Sequence, residues 1–362
     1  MVKAAAREAG FELAGIAGVA EFPELEQYPA WVAEGHSGEM KYLEARDEQG
    51  RLKRASLKRV APWARSVVVC AMNYNTAEPY STAFNDPGRG WISRYAWSRQ
   101  DYHDVVLKRL RLVESKLRSS IESPDTSKIS FARAQQNASR ELRTWCYVDT
   151  GPLVERVYAK YAGVGWIGKN TCIINQEMGS WLFLGVILNS LEIEPELPAA
   201  DRCGTCTRCI EACPTHAFIA PYRLDATRCI SYLTIEKRGA IPEDLRDGIG
   251  RHVFGCDICQ DVCPWNRKAP ATAEGEFQPR AELVNPALEW LGEMEEEEFR
   301  QVFRGSPVKR AKLRGLRRNA LIAMGNSGQR KFVQVLEKLT GDEDPVIAEA
   351  ARWSLDKLRV RQ

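Results

Sequence analysis

Eight of the chain's 11 cysteines form two sets whose spacing is that of iron–sulfur ligation. Cys203, Cys206, Cys209 and Cys213, followed by Pro214, reproduce C-x2-C-x2-C-x3-C-P, the bacterial two-cluster ferredoxin run. Three closely spaced thiolates hold three corners of one cubane, and the fourth, redirected by the proline, reaches the other cluster. In the second set, Cys229 is followed by Cys256, Cys259 and Cys263 with Pro264, so an insertion has opened the first step. The expected crossing gives Cys203, Cys206, Cys209 and Cys263 to one 4Fe-4S cluster, and Cys213, Cys229, Cys256 and Cys259 to the other. Structural zinc is the competing account, because paired C-x2-C steps build tetrahedral sites. A C-x3-C-P ending that occurs twice favours iron–sulfur. Cys70, Cys146 and Cys172 stand alone and read as buried small residues.

A second constellation is a decoy. Gly163 to Asn170 (GVGWIGKN) matches both G-x-G-x-x-G and G-x-x-x-x-G-K. A dinucleotide fingerprint or a P-loop must follow a strand and open a helix, whereas this segment follows the helix-like Pro152 to Tyr161 and leads into the β-rich Thr171 to Asn175. Asn170 also stands where a P-loop needs Ser or Thr for magnesium. A Gly-rich turn packed against a large cofactor remains open.

These residues need a scaffold. Ser66 to Tyr74 (SVVVCAMNY) and Trp181 to Asn189 (WLFLGVILN) have the composition of buried strands. Between them, Val106, Leu110, Val113 and Leu117 recur at helical spacing and predict an amphipathic helix over His103 to Leu117. Asn75 to Gly90 and Ser119 to Ser139 read as surface loops, the second partly helical. Leu191 to Ala200 and Glu274 to Pro279 read as connectors. Further on, Leu316 to Met324 and Pro345 to Leu358 are helical, with turns at Gly325 to Gly328 and Gly341 to Asp344, a HEAT-like pattern of one or two units. The expected class is α+β: a mixed α/β domain over 1–195, a ferredoxin-like two-cluster module over 196–275 and a HEAT-like helical domain over 276–362.

With 362 residues the chain can bury two or three cores. No run approaches the roughly 18 apolar residues of a membrane span. Met1 to Gly10 lacks an apolar signal core and a twin arginine, so a cytoplasmic location with reduced, metal-binding thiols is expected rather than disulfides. The net charge of +3 is small but uneven. Arg304 to Arg318 carries seven basic residues and no acid, just after the acidic run of Glu293 and Glu295 to Glu298.

Nearly the whole chain resembles the epoxyqueuosine reductases, cobalamin-dependent iron–sulfur enzymes of queuosine synthesis in tRNA. The carriers are ISRYAWSRQDYH (Ile92 to His103), YVDTGPLVER (Tyr147 to Arg156), AGVGWIGKNT (Ala162 to Thr171) and GSWLFLG (Gly179 to Gly185). CISYLTIEKRG (Cys229 to Gly239), GCDICQDVCPWN (Gly255 to Asn266) and FRGSPVKRAKLRGLRRNALIAMGN (Phe303 to Asn326) complete them. Ser98, where the family pattern has Gly, and the long Ser119 to Ser139 stretch depart from it.

The resemblance implies cobalamin held between the α/β domain and the ferredoxin-like module, an external electron donor of unknown identity, and tRNA carrying epoxyqueuosine as substrate. It also implies Asp149 as proton donor beside the cobalt. A carboxylic acid that donates near neutral pH needs burial, a nearby negative charge or proton delivery through water. On the residues alone, Asp149 could equally cap the helix that follows. Arg94, Tyr95, Tyr102, Asp149, Lys169, Asn170, Cys172, Ser180, Trp181 and Ser231 become implied cobalamin contacts, with Cys256 and Asp257 where a cluster nears the corrin. Core packing is the alternative for the tyrosines and Trp181, and a solvated turn for Lys169. Lys237, Arg238, Lys309, Arg310, Lys312, Arg314, Arg317 and Arg318 are the expected tRNA phosphate contacts, against a merely solvated face. Two other functions compete. A corrinoid reductive dehalogenase shares the cofactors, and a non-catalytic ferredoxin-type carrier would leave the large N-terminal domain unexplained.

Overall fold

The structure, a computed structural model, describes residues 1–122 and 142–360. Its N-terminal part is built on a four-stranded antiparallel sheet in the order Leu13–Gly18, Ser66–Asn73, Leu182–Asn189, Thr144–Tyr147. All eight residues of Ser66–Asn73 are buried, as its apolar, β-branched sequence requires of a strand covered on both faces. Successive side chains point to opposite faces. Val68, Cys70, Met72 and Ile187 therefore meet Val106, Leu110, Val113 and Leu117 of helix Tyr102–Glu122. Val67, Val69, Ala71, Val186 and Leu188 face Val157, Tyr158 and Ala159 of helix Glu155–Tyr161. The expected helix and both expected strands are present within a residue or two at their start. Ser119 to Glu122 continue the helix, and the rest of that polar stretch lies outside the described residues.

The Asn75 to Gly90 segment is not a free surface loop. Asn75 and Thr76 are buried, and Asn75 donates its side-chain amide to Ala269 O (3.1 Å) while accepting from the Thr272 backbone (2.7 Å). Arg251 donates to Phe84 O (2.8 Å) and Arg89 O (3.0 Å). The segment thus ties the α/β part to the cysteine-rich part, which also contributes strand His252–Phe254, parallel to Trp91–Ile92.

Beyond residue 280 the described chain is helical. Its core runs without a break from Leu316, Leu321, Leu336 and Leu355 into Ile230, Leu233, Val253 and Phe254 of the cysteine-rich part. The turn expected at Gly325 to Gly328 is corrected: helix Lys312–Ser327 continues to Ser327, and only Gly328, at φ +70°, ends it. Gly325 has a different task. A Cβ there would lie 2.8 Å from Ser354 Cα, so its hydrogen lets this helix cross Pro345–Val360 closely. Among the described residues no helix is long and apolar enough to cross a membrane.

Candidate functional site

The cysteines assemble in the crossed pattern. Cys203, Cys206, Cys209 and Cys263 line a cavity of about 350 Å³ together with Lys169, Asn170 and Trp265. On the other side, Cys229 lies close enough to Cys213 for their charges to interact, Cys256 to both, and Cys259 to Cys256 and Cys229. Backbone amides are aimed at the sulfurs: Ala217 at Cys213 (3.4 Å), Ser231 and Tyr232 at Cys229, Ile258 at Cys256 and Trp265 at Cys263. Apart from Ala217, which follows a turn, these arise because a short helix, such as Ile258–Asp261, starts just after a ligand and points its free N–H groups back at it. A zinc ion would need four sulfurs about 2.3 Å from one point. Four thiols around a roomy cavity, with amide donors to stabilise cluster charge, fit a cubane better.

The Gly-rich decoy braces this arrangement. It closes as the hairpin of Trp166–Ile167 and Ile173–Ile174, and a Cβ at Gly165 would lie 2.5 Å from Ile174 O. From its tip, Lys169 Nζ donates to Gly204 O (2.7 Å) and Cys206 O (3.0 Å), and Asn170 Nδ2 donates to Cys259 O (3.2 Å). Lys169 is thus anchored on the first cluster loop rather than solvated. Cys172 is not an isolated core thiol: it lies close enough to Cys259 for the two sulfurs to interact.

Asp149 stands past the end of strand Thr144–Tyr147, in the left-handed region at φ +55°, which a short polar residue tolerates. It caps no helix, because the next one starts at Glu155 with Val154 as its N-cap. Its side chain is 71% exposed. Tyr102 donates its hydroxyl to Asp149 Oδ2 (3.0 Å) and stacks flat on Phe183 at 4.3 Å, with Tyr95 edge-on at 6.0 Å. Burial, and then the Asp149 charge, push the phenols of Tyr102 and Tyr95 far up, so both stay protonated donors. Glu155 is half-buried, with one carboxylate oxygen sealed from solvent and unpartnered, and desolvation with the Asp149 charge lifts its pKa to about 7.

Sequence reasoning passed over two neighbours. Tyr42 lies between the guanidinium groups of Arg310 (5.2 Å) and Arg54 (5.9 Å) and feels the Asp149 charge. His103 donates or accepts at Nδ1 with Asp101 Oδ1 (2.7 Å), and its Nε2 lies 3.9 Å from Asp149 Oδ2. The Asp-x-His spacing in the quoted RQDYH segment was the available signal. Nothing local marks Tyr42.

Other implied cobalamin contacts are buried within the protein. The Arg94 guanidinium is held by Thr76 O (2.9 Å), Thr76 Oγ1 (2.7 Å) and Glu78 O (2.9 Å), over the rings of Trp97 and Trp181. Trp181 is fully buried beneath it, and Ser180 binds Gln260 and Asn266 inside the joint. Asp257 is buried too, accepting from the Ser93 hydroxyl and the Arg94 backbone (2.6 Å), which fixes the Cys256 loop to the α/β part. Ser231 and Cys256 stay half-buried at the second cluster.

The basic run is also partly corrected. Arg318 is 1% exposed and donates to Leu233 O (2.7 Å), Lys237 O (2.8 Å) and Gly239 O (2.6 Å), so it cannot reach a phosphate. Arg317 is half-buried on Asp342 (3.0 Å), and Arg314 pairs with Asp344 (2.7 Å). Lys237 and Arg310 pair with Glu39 and Glu236. The run does have acidic partners, supplied by distant segments. Lys309, Arg310 and Lys312 are exposed, as is Arg238 beside them, donating to Arg310 O (2.9 Å), while Lys237 is half-buried.

Comparison with known proteins agrees with this geometry. Residues 202–266 match the family model of a 4Fe-4S double cluster binding domain, which decides iron–sulfur over zinc. Residues 54–150 match the model described as Epoxyqueuosine reductase QueG, DUF1730. The epoxyqueuosine reductase of Xanthomonas campestris pv. campestris is 37% identical over 358 residues, covering 98% of this chain and 94% of its own. The chain belongs to the epoxyqueuosine reductase family. The crystal structure of an epoxyqueuosine reductase with an epoxyqueuosine-modified tRNA-Tyr stem loop superposes with a TM-score of 0.85 at 30% identity, covering 99% of this chain and 89% of that one. The Bacillus subtilis epoxyqueuosine reductase, with its catalytic aspartate loop swung out of the active site, gives 0.82 at 30% identity and the same coverage. Family membership, with a match outside the cysteine module, supersedes the electron-carrier and dehalogenase alternatives.

Proposed function

We propose that this chain is the oxidoreductase that reduces epoxyqueuosine to queuosine in tRNA, with two 4Fe-4S clusters and cobalamin as cofactors and an unidentified low-potential protein or reductant as electron donor. The observation that carries this reading is Asp149: an exposed acid held by a tyrosine, capping nothing, near groups of the cluster module in a chain of this family. Removing an epoxide oxygen as water takes two electrons and two protons, and the clusters deliver electrons one at a time. When bound, cobalamin supplies a strongly reducing cobalt centre. Tyr95 and Tyr102, packed edge to face, offer an aromatic wall with Asp149 at its rim, against which a corrin could rest.

The chain's own residues do the rest. Tyr102 orients the Asp149 carboxyl, and Asp149 gives its proton to the departing oxygen. Lys169 and Asn170 hold the two cluster loops, and Asp257 holds the second one against Ser93 and Arg94. Lys309, Arg310 and Lys312, with Lys237 and Arg238 beside them, form the phosphate-facing surface. We assign 1–195 to the cobalamin-binding domain, 196–275 to the ferredoxin-like module and 276–362 to a HEAT-like domain, and we place the enzyme in the cytoplasm. The test is anaerobic incubation with epoxyqueuosine tRNA, cobalamin and a strong reductant, followed by nucleoside mass spectrometry. Conversion is expected, and Asp149→Asn lowers it by at least the roughly hundredfold of general-acid catalysis while keeping both clusters. No conversion by the loaded wild type overturns the reading, and near-normal conversion by Asp149→Asn overturns the donor assignment.

A further inference from the structure

The proposed reaction consumes two protons at one oxygen, but Asp149 carries only one. Its side chain has three neighbours of interest. Tyr102 donates a hydrogen bond to Oδ2, yet burial and the Asp149 charge keep that phenol from giving its proton away. Glu155 is half-buried, and its solvent-sealed oxygen has no hydrogen-bond partner among the described residues through which a proton could leave. His103 differs from both. Its ring lies over Tyr102 at 4.0 Å, its Nδ1 is fixed by Asp101 Oδ1 at 2.7 Å, and its Nε2 faces the same Asp149 oxygen at 3.9 Å.

We infer that Asp101, His103 and Asp149 form a proton relay in which His103 recharges Asp149 between the two proton deliveries of each turnover. This inference rests on the proposed reduction of epoxyqueuosine. The step balances simply. The His103 Nε2–H bond breaks, an O–H bond forms at Asp149 Oδ2, and the neutral imidazole regains a proton from water, which its 35% exposure allows. Electrons are not involved at this point, since both come from the donor through the clusters. The 3.9 Å separation is about 1 Å longer than a hydrogen bond, so a small ring rotation or one water completes the path.

The surroundings favour a charged ring. Burial alone would lower the His103 pKa, but the Asp101 hydrogen bond and the charges of Asp101, Asp149 and Asp104 raise it above the ordinary value. Lys309 faces Asp101 from the helical part and opposes this only indirectly, and Tyr102 beneath the ring stays neutral. Asp101 acts as a positioning residue: its carboxylate accepts from Nδ1–H and keeps that proton in place, so the proton the charged ring gives up and later regains is the one on Nε2, facing Asp149.

Two measurements test the relay. The chain has four histidines, so the ring protons can be followed by NMR in cluster-loaded protein. A carboxylate about 4 Å away in a half-solvated setting is worth roughly half a pH unit or more. The His103 titration should therefore move down by at least that much in Asp149→Asn and again in Asp101→Asn. An unmoved titration in Asp149→Asn overturns the contact, and this readout stands even if the substrate assignment fails. In turnover, the wild-type rate should fall as pH rises through the His103 titration. His103→Gln should be at least roughly tenfold slower in kcat with KM unchanged, flat across that pH range, and partly restored by added imidazole. If His103→Gln loads its cofactors poorly, Asp101→Asn, which keeps the ring, should shift the descending limb to lower pH. A pH profile in either loaded variant identical to wild type, while wild type converts epoxyqueuosine, overturns the relay and leaves the reaction assignment standing.

Discussion

Arg318 separates a structural reading from an RNA-binding one most sharply. Its guanidinium is buried, and although burial pulls its pKa down to about 10, it is charged at neutral pH. It gives hydrogen bonds to three backbone carbonyls, of Leu233, Lys237 and Gly239, and to Asn319 Oδ1, so it fastens helix Lys312–Ser327 to the chain just after Cys229. Arg318→Met keeps the length and the apolar stem but strands those carbonyls. Each orphaned acceptor costs about 1–3 kcal/mol. Relief from burying a charge offsets part of that sum, so a net loss of about 3 kcal/mol is expected. At about 2–4 °C per kcal/mol in a large domain, the apparent melting point should drop by roughly 6–12 °C. The assay is an anaerobic thermal scan of cluster-loaded protein at fixed rate, following far-UV circular dichroism and cluster absorbance together, because such unfolding is neither two-state nor reversible. At a temperature where the variant is folded, its tRNA affinity should keep the wild-type salt slope, since no phosphate contact is lost. A variant that melts within about 1 °C of wild type but loses about one unit of salt slope would refute the reasoning and return Arg318 to the RNA surface.

Other outcomes follow from the same geometry. Cys213→Ala should damage the cluster of Cys229, Cys256 and Cys259 and spare the other, as read by electron paramagnetic resonance; loss of only the Cys203 cluster would refute the crossing. Changing Lys309, Arg310 and Lys312 together to Gln should weaken tRNA binding and flatten its salt dependence, whereas an unchanged slope would leave that face merely solvated. For Glu155, the folded pKa of about 7 lies above the ordinary value of 4.5, so the folded state binds the extra proton and stability falls as pH rises between those two values. Glu155→Gln should therefore melt higher than wild type at pH 8 and nearly the same at pH 4; equal melting at both would show that the carboxylate is solvated.

Much of this was legible because it is local. Cysteine spacing set the cluster assignment, and the β-branched, apolar composition of Ser66–Asn73 and the helical period of Val106, Leu110, Val113 and Leu117 set the central layers. The basic run misled because charge was counted along the chain, while its partners Glu39, Glu236, Asp342 and Asp344 arrive through the fold. Arg94 and Trp181 entered through the resemblance alone, and no local pattern shows that Thr76 and Glu78 of the Asn75 to Gly90 segment hold that guanidinium over the buried indole. His103 and Asp149 come from different elements, and only the packing of helix Tyr102–Glu122 on the sheet makes them neighbours.

The hairpin that imitates a nucleotide loop has a consequence for electron flow. Its adjacent tip residues, Lys169 and Asn170, grip Cys206 on one cluster loop and Cys259 on the other, so the gap between the two metal centres is spanned by two side chains on a single rigid turn. Tunnelling rates fall steeply with distance, and a spacer this short leaves little freedom for that distance to breathe as the protein docks and releases a large RNA. The turn would then work as a gauge block: the substrate-binding surfaces can flex around it while the spacing that sets the rate of electron transfer stays constant.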